Sequence, residues 1–273
     1  MAWYNPSDGL QADPATVRVV EFPLDSSVTI ICEREFVPCT NLVSVTLPLS
    51  LTTILRSAFD GCTSLISVSF PMLSMSSSVH RGIGTLTSIG ACAFNGCTNL
   101  VYINLEDTEI AHIGMRAFHN CISLARIVLP QTLTTIGEGA FEYCENLADV
   151  DFLGKNVTSI RQGAFRGCIS LRSVNLISMA SLPTIETNVF WDCSSLISIT
   201  LPVGLTSIKM RAFFQCSSLA HITLPEGVTS IGHEAFSECT SLANITLPEG
   251  LNSIEEAAFA KCSSLTSITL PEG

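Results

Sequence analysis

Twelve cysteines and five histidines are the residues of this chain with the greatest chemical potential, and their spacing decides what they can do. Ten of the cysteines, from Cys39 and Cys62 to Cys239 and Cys262, each stand three residues after a phenylalanine. No Cys-x-x-Cys occurs, and no histidine accompanies the cysteines at ligand spacing, so the pattern of a zinc site is missing. A recurring lone cysteine reads instead as a ladder of structural thiols, because free cysteine packs as a small hydrophobe. Disulfides between rungs would need a side-chain dihedral that parallel stacking does not by itself provide. Cys32 and Cys92 fall outside the ladder and receive no role. His233-Glu234 opens like a zinc-protease helix, but position 237 is Ser where the second histidine would stand. His80-Arg81 sits in a long insert, and His112, His119 and His221 are scattered over different repeats. Gly82-x-Gly84-x-x-Thr87 lacks the third glycine of a phosphate loop. No nucleophile–base pattern emerges, so the expectation is a protein that is not an enzyme and needs no metal or cofactor.

The elements that position these residues repeat. Phe-x-x-Cys begins at Phe36, Phe59, Phe94, Phe118, Phe141, Phe165, Phe190, Phe213, Phe236 and Phe259, giving ten units of about 23 residues. A leucine follows each Cys by three, then Ile or Val by three more, then Leu or Phe by two; an Ile stands five before each of these phenylalanines. Leu242-Ala-Asn-Ile-Thr-Leu247 shows the alternation of a strand with one buried face. Ala-Phe-x-x-Cys-x-x-Leu has apolar residues three apart, which predicts a short helical turn. One unit cannot fold alone: ordering each residue costs about 1–2 kcal/mol of backbone entropy, so units must stack to bury enough apolar surface.

Proline sets the period. It follows the strand at Pro48, Pro71, Pro130, Pro202, Pro225, Pro248 and Pro271, and every Phe-to-Phe spacing of 23 contains it. Lacking an N–H, it stops the strand at one place. Where Glu106, Leu153 or Ile177 replaces it, the spacing is 24, 24 or 25. Phe59 to Phe94 is longer still, with an insert at 72–85. A degenerate first strand at Val17-x-x-Val20-x-Phe22 brings the expected total to eleven in one parallel ladder. Residues 1–16 are expected to form an N-terminal cap, and 17–273 the repeat domain. The chain stops mid-repeat without a polar cap, which suggests a piece of a longer chain or an end that self-associates.

Charge narrows the partners. Lys+Arg number 13 against 24 Asp+Glu, a formal net charge of −11, which excludes the basic footprint needed for nucleic acid and disfavours anionic membranes. Only 14% of residues are charged, against a usual share of about 25%. The uncharged stretch from Phe36 to Leu55 carries Pro38, Pro48 and many Ser and Thr at the repeat period, so it is not read as a membrane span. The N-terminal residues lack a basic and an apolar signal region, which predicts a cytoplasmic protein, with the cell surface or secretion as the alternative.

The motif Leu-x-x-Ile-Gly-x-x-Ala-Phe-x-x-Cys-x-x-Leu-x-x-Ile-x-Leu-Pro, seen whole over Val228–Pro248, resembles the BspA-like leucine-rich-repeat family. The resemblance covers roughly residues 17–273 and implies an α/β repeat: a right-handed, curved leucine-rich-repeat solenoid, with a parallel β-sheet on its concave face and short helical turns opposite. It also implies protein binding, often as adhesins or surface antigens. On the outward strand face most repeats carry Ser, Thr or Asn pairs such as Ser44/Thr46 and Ser198/Thr200. The middle breaks that pattern with Tyr102, Arg126, Asp149 and Asp151, which are the candidate binding residues. The expected function is therefore a non-enzymatic module or scaffold binding a protein partner. The alternatives are an adhesin-like surface protein, or a hydroxyl ladder binding glycan or water.

Overall fold

A computed structural model describes residues 2–5, 9–10, 13–23, 25–70 and 86–270. The insert at 72–85, with His80, Arg81, Gly82 and Gly84, lies outside these residues. The chain winds as a β-solenoid of stacked coils. The alternating segments form ten short strands, from Val19–Glu21 and Ser44–Thr46 through Arg126–Leu129 and Asp149–Phe152 to Asn244–Thr246, each parallel to its neighbours. At the N-terminal edge Ala2–Asn5 pairs in parallel with Val19–Glu21 and antiparallel with Gly9–Leu10.

The expectation of one ladder is corrected to two. The Ile five residues before each Phe belongs to a second row of two-residue strands, from Ile30–Ile31 through His112–Ile113 to Ser253–Ile254, paired in register coil on coil. Both rows are interrupted: hydrogen-bonded pairing in the first stops between Tyr102–Ile103 and Arg126–Leu129 and again between Ser198–Thr200 and His221–Thr223, and in the second between Ser159–Ile160 and Thr184–Ile185.

The predicted helical turns are also corrected. Among the described residues the one helix is a 3-10 turn at Pro14–Thr16, outside the repeats. The Ala-Phe-x-x-Cys segment is a run of tandem turns whose alternate N–H groups go to different places. In the second repeat Ala58, Asp60 and Cys62 donate to carbonyls three residues back, whereas Ser57, Phe59 and Gly61 donate to Ala91, Ala93 and Asn95 of the next coil. A helix would keep all these bonds to itself; the turns give half of them to the stack. The residues two before and two after each Phe from Phe59 to Phe259 then take positive φ, as at Arg116 and Asn120, or Gly163 and Gly167.

The core is correspondingly regular. The ten phenylalanines stack face to face, with centroids from 4.7 Å (Phe36–Phe59) to 5.7 Å (Phe165–Phe190) apart and nearly parallel planes. Each ladder Cys from Cys62 to Cys262 donates its Sγ–H to the Phe carbonyl of the preceding coil, at 3.2 Å for Cys62 to Phe36 and 3.0 Å for Cys262 to Phe236. The thiol therefore satisfies a core acceptor as well as filling space. Glycine after Ile marks a close approach of the coils: a Cβ on Gly114 would lie 2.5 Å from the backbone of Gly90.

Candidate functional site

Two surfaces rise above the repeat background. The first is the outward face of the longer strand row. Residues flanking each buried Ile or Val point outward by the two-residue alternation, so Arg126, Asp149 and Tyr102 are exposed while Ile127, Val150 and Ile103 are buried. Arg126 reaches diagonally across the ladder, its Nε donating to Asp151 Oδ2 at 3.0 Å and its Nη2 to the same oxygen. Asp149 and Glu106 act on the same guanidinium; its pKa is raised, first by the hydrogen bond to Asp151 and then by these carboxylates. One cation is thus surrounded by three acids. Tyr102 stands on a neighbouring coil, 51% exposed, beside exposed Val101 and Ile66. So three of the four residues singled out in the sequence share one cluster, and Tyr102 flanks it.

The ladder opens at this cluster. Arg126–Leu129 pairs with Asp149–Phe152 at four positions, but on its other side Asp149–Phe152 pairs with Ser173–Asn175 at Asp149↔Ser173 alone. A depression of about 340 Å³ lies there, floored by Val128, Val150 and Phe152 and rimmed by Arg126, Asp151 and Asn175. Its volume is at the lower end of the roughly 300–1,000 Å³ usual for ligand sites. The coils on either side are those with Leu153 and Ile177 in place of proline. Sequence irregularity and structural opening coincide.

The second surface was not foreseen. The residue after each core Phe from Phe59 to Phe213 forms a row on the turn side, Asp60, Asn95, His119, Glu142, Arg166, Trp191 and Phe214, in which neighbours touch. Asn95 Nδ2 donates to Asp60 Oδ1 at 2.7 Å, and His119 Nδ1 lies 2.9 Å from Asn95 Oδ1. Glu142 takes His119 at 3.7 Å and Arg166 at 3.3 Å, and the Arg166 guanidinium lies 4.1 Å from the Trp191 ring centroid. Trp191 meets Phe214 edge to face at 5.3 Å. The row continues sideways through Gln215, Glu238 and Lys261, where hydrogen bonds from Lys261 and Gln215 hold the Glu238 carboxyl below its usual range. Aligning the repeats on Phe and reading the next column would have revealed it. These groups already partner one another, Arg166 and Arg211 both approach the Trp191 ring, and the row reads as a stitch between coils. Burial lowers the His119 pKa against the attraction of Glu142, and Arg116 adds to the lowering.

The ladder thiols are free and buried. Burial pushes Cys62 and Cys144 up to about 12, and the other buried rungs upward too, so they are poor nucleophiles and poor ligands. His221 lies on the outward strand face, His112 in the second strand row and His233 beside Glu234 on the turn side. Among the described residues no helix is long and apolar enough to cross a membrane.

Comparison with known sequences settles the lineage. A model of the BspA type leucine rich repeat region matches in six copies over residues 15–81, 75–197 and 183–273. The chain belongs to the BspA-type leucine-rich-repeat family. A leucine-rich repeat protein from Bacteroides ovatus is 25% identical, with a TM-score of 0.75 over 98% of this chain and 68% of its own. The Treponema pallidum leucine rich repeat protein is 27% identical, with a TM-score of 0.52 over 78% of this chain and 82% of its own. A leucine rich cell surface protein from Faecalibacterium prausnitzii is 24% identical, with a TM-score of 0.50 over 98% and 86%, and shows the fold alone. No curated protein matches the sequence.

Proposed function

We propose that this protein is a non-enzymatic binding module that takes a protein partner on the outward face of its longer strand row, around Tyr102, Arg126, Asp149 and Asp151. The observation that carries the reading is the coincidence just described: the ladder opens, and a depression forms, where the bland Ser/Thr/Asn face gives way to Tyr, Arg and Asp. Tyr and Arg are the residue types that dominate binding energy at interfaces. Membership of a leucine-rich-repeat family, whose members are typically protein-binding, supports it. The turn-side row is the weaker candidate because its polar groups are already paired with each other. As a cytoplasmic scaffold or as an adhesin-like protein at the cell surface, the module would use the same face, and fractionation of source cells separates the two settings.

The test uses two exposed variants with unchanged melting profiles: Tyr102→Ala/Asp149→Ala on the strand face and Lys261→Ala on the turn side. A partner isolated with the native protein should bind the first at least about tenfold more weakly, a loss of about 1.4 kcal/mol, and the second normally. Equal affinity for native protein and strand-face variant rejects the site.

A further inference from the structure

Leu153, Ile177 and Val203 are 41%, 56% and 70% exposed. They occupy three consecutive coils, one, two and three residues past a strand's end, and lie along one rim of the strand face. The coils carrying the last two pack closely: a Cβ on Gly204 would meet the Ala180 carbonyl oxygen at 2.1 Å. The row begins at the depression, whose lining includes Leu153. Isolated exposed aliphatics are ordinary, but one on each of three successive coils marks a place that is covered in use.

Charge selects what covers it. Beside the row lie Asp151, Asp149 and Glu106, of which Arg126 hydrogen-bonds Asp151, on a chain of net charge −11. An acidic occupant would be repelled. A neutral apolar one would leave the carboxylates partly desolvated and unpaired. A lysine or arginine fits both parts of the surface: its methylene stem lies on Val128 and Phe152 while its head meets the acids.

We infer that the depression and the Leu153–Ile177–Val203 row together form a docking surface for an extended protein segment in which basic residues alternate with aliphatic ones. The inference rests on the strand-face reading above and adds the chemistry of the partner. Arg126 occupies one carboxylate in the free protein, so the partner's cation meets Asp149 and Glu106 and competes with Arg126 for Asp151.

Fluorescence anisotropy with three labelled ten-residue peptides tests this: one alternating Lys with Leu and Val, one alternating Lys with Ser, and one alternating Glu with Leu and Val. The Lys/aliphatic peptide should bind, and the other two at least about tenfold more weakly. Its affinity should fall by about the same factor with Glu106→Gln/Asp149→Asn, and with Leu153→Ser/Ile177→Ser, which leaves the charge unchanged. Glu249→Gln/Glu255→Gln, distant acids, should leave it intact, which separates a site from general attraction to an acidic protein. Equal binding of the Lys/Ser peptide, indifference to either strand-face pair, or equal loss with the distant pair overturns the inference. If the peptides fail while a captured protein still depends on Tyr102 and Asp149, the binding reading stands and the partner chemistry falls.

Discussion

The thiol–carbonyl pairs explain why cysteine, rather than alanine, recurs in the core: each Sγ–H caps a Phe carbonyl that would otherwise carry its neighbour's N–H alone. Buried and raised in pKa, these thiols should resist alkylation. Mass spectrometry after brief iodoacetamide treatment of the native protein should find label on exposed Cys32 and half-exposed Cys92, and on the ten rungs only after denaturation. Labelling of Cys144 or Cys168 at the rate of Cys32 would refute their burial. His119 gives a pH signature. Its folded pKa lies below the ordinary value of 6.5, so the unfolded chain binds the proton more readily. Stability is then complete above about 6.5 and declines as pH falls through that value toward the folded pKa. Denaturant midpoints at pH 7.5 and 5.5 should show this decline, and His119→Asn should reduce it. An unchanged pH response in that variant assigns the decline to other groups.

At the scale of the element, the phenylalanine column and its alternating partners were legible in the sequence, because burial imposes periods of two and three that survive in one chain. The tandem turns were not. Apolar residues three apart serve a helical turn and a turn run equally well, and positive φ at Arg116, Tyr143 or Glu234 has no residue-type signature comparable to glycine. The second strand row was hidden for a related reason: two residues are too few to show alternation. The Ile-Gly step carried a clue, since Gly114 and Gly137 stand where a Cβ would strike the preceding coil. Gly137→Ala should therefore cost about 1–3 kcal/mol by forcing coils apart. A denaturant midpoint equal to the native one would show that the coils yield freely. The candidate residues were legible as departures from the Ser/Thr/Asn face, whereas the diagonal Arg126–Asp151 bond and the opening after Asp149 depend on neighbouring coils and needed the structure.

For the whole molecule, stacking makes stability depend on position along the solenoid. Phe141 is sandwiched between Phe118 and Phe165, so Phe141→Ala should cost about 3–5 kcal/mol. Phe259 has one described ring neighbour, Phe236, and is only partly buried, so Phe259→Ala should cost distinctly less. Equal losses in calorimetry would mean that the coils do not act as a stack with nearest-neighbour coupling. The same one-dimensional design frees positions that stacking does not use, and on the strand face the proposed binding residues cluster in the middle coils. The most direct test of that claim is amide hydrogen exchange of the protein with and without its isolated partner. Slowed exchange should be confined to the strand-face segments around 100–106, 126–130, 149–155 and 173–179, with the turn-side segments around Trp191 and Phe214 unchanged. Protection on the turn side with none at Arg126 or Asp149 would contradict it.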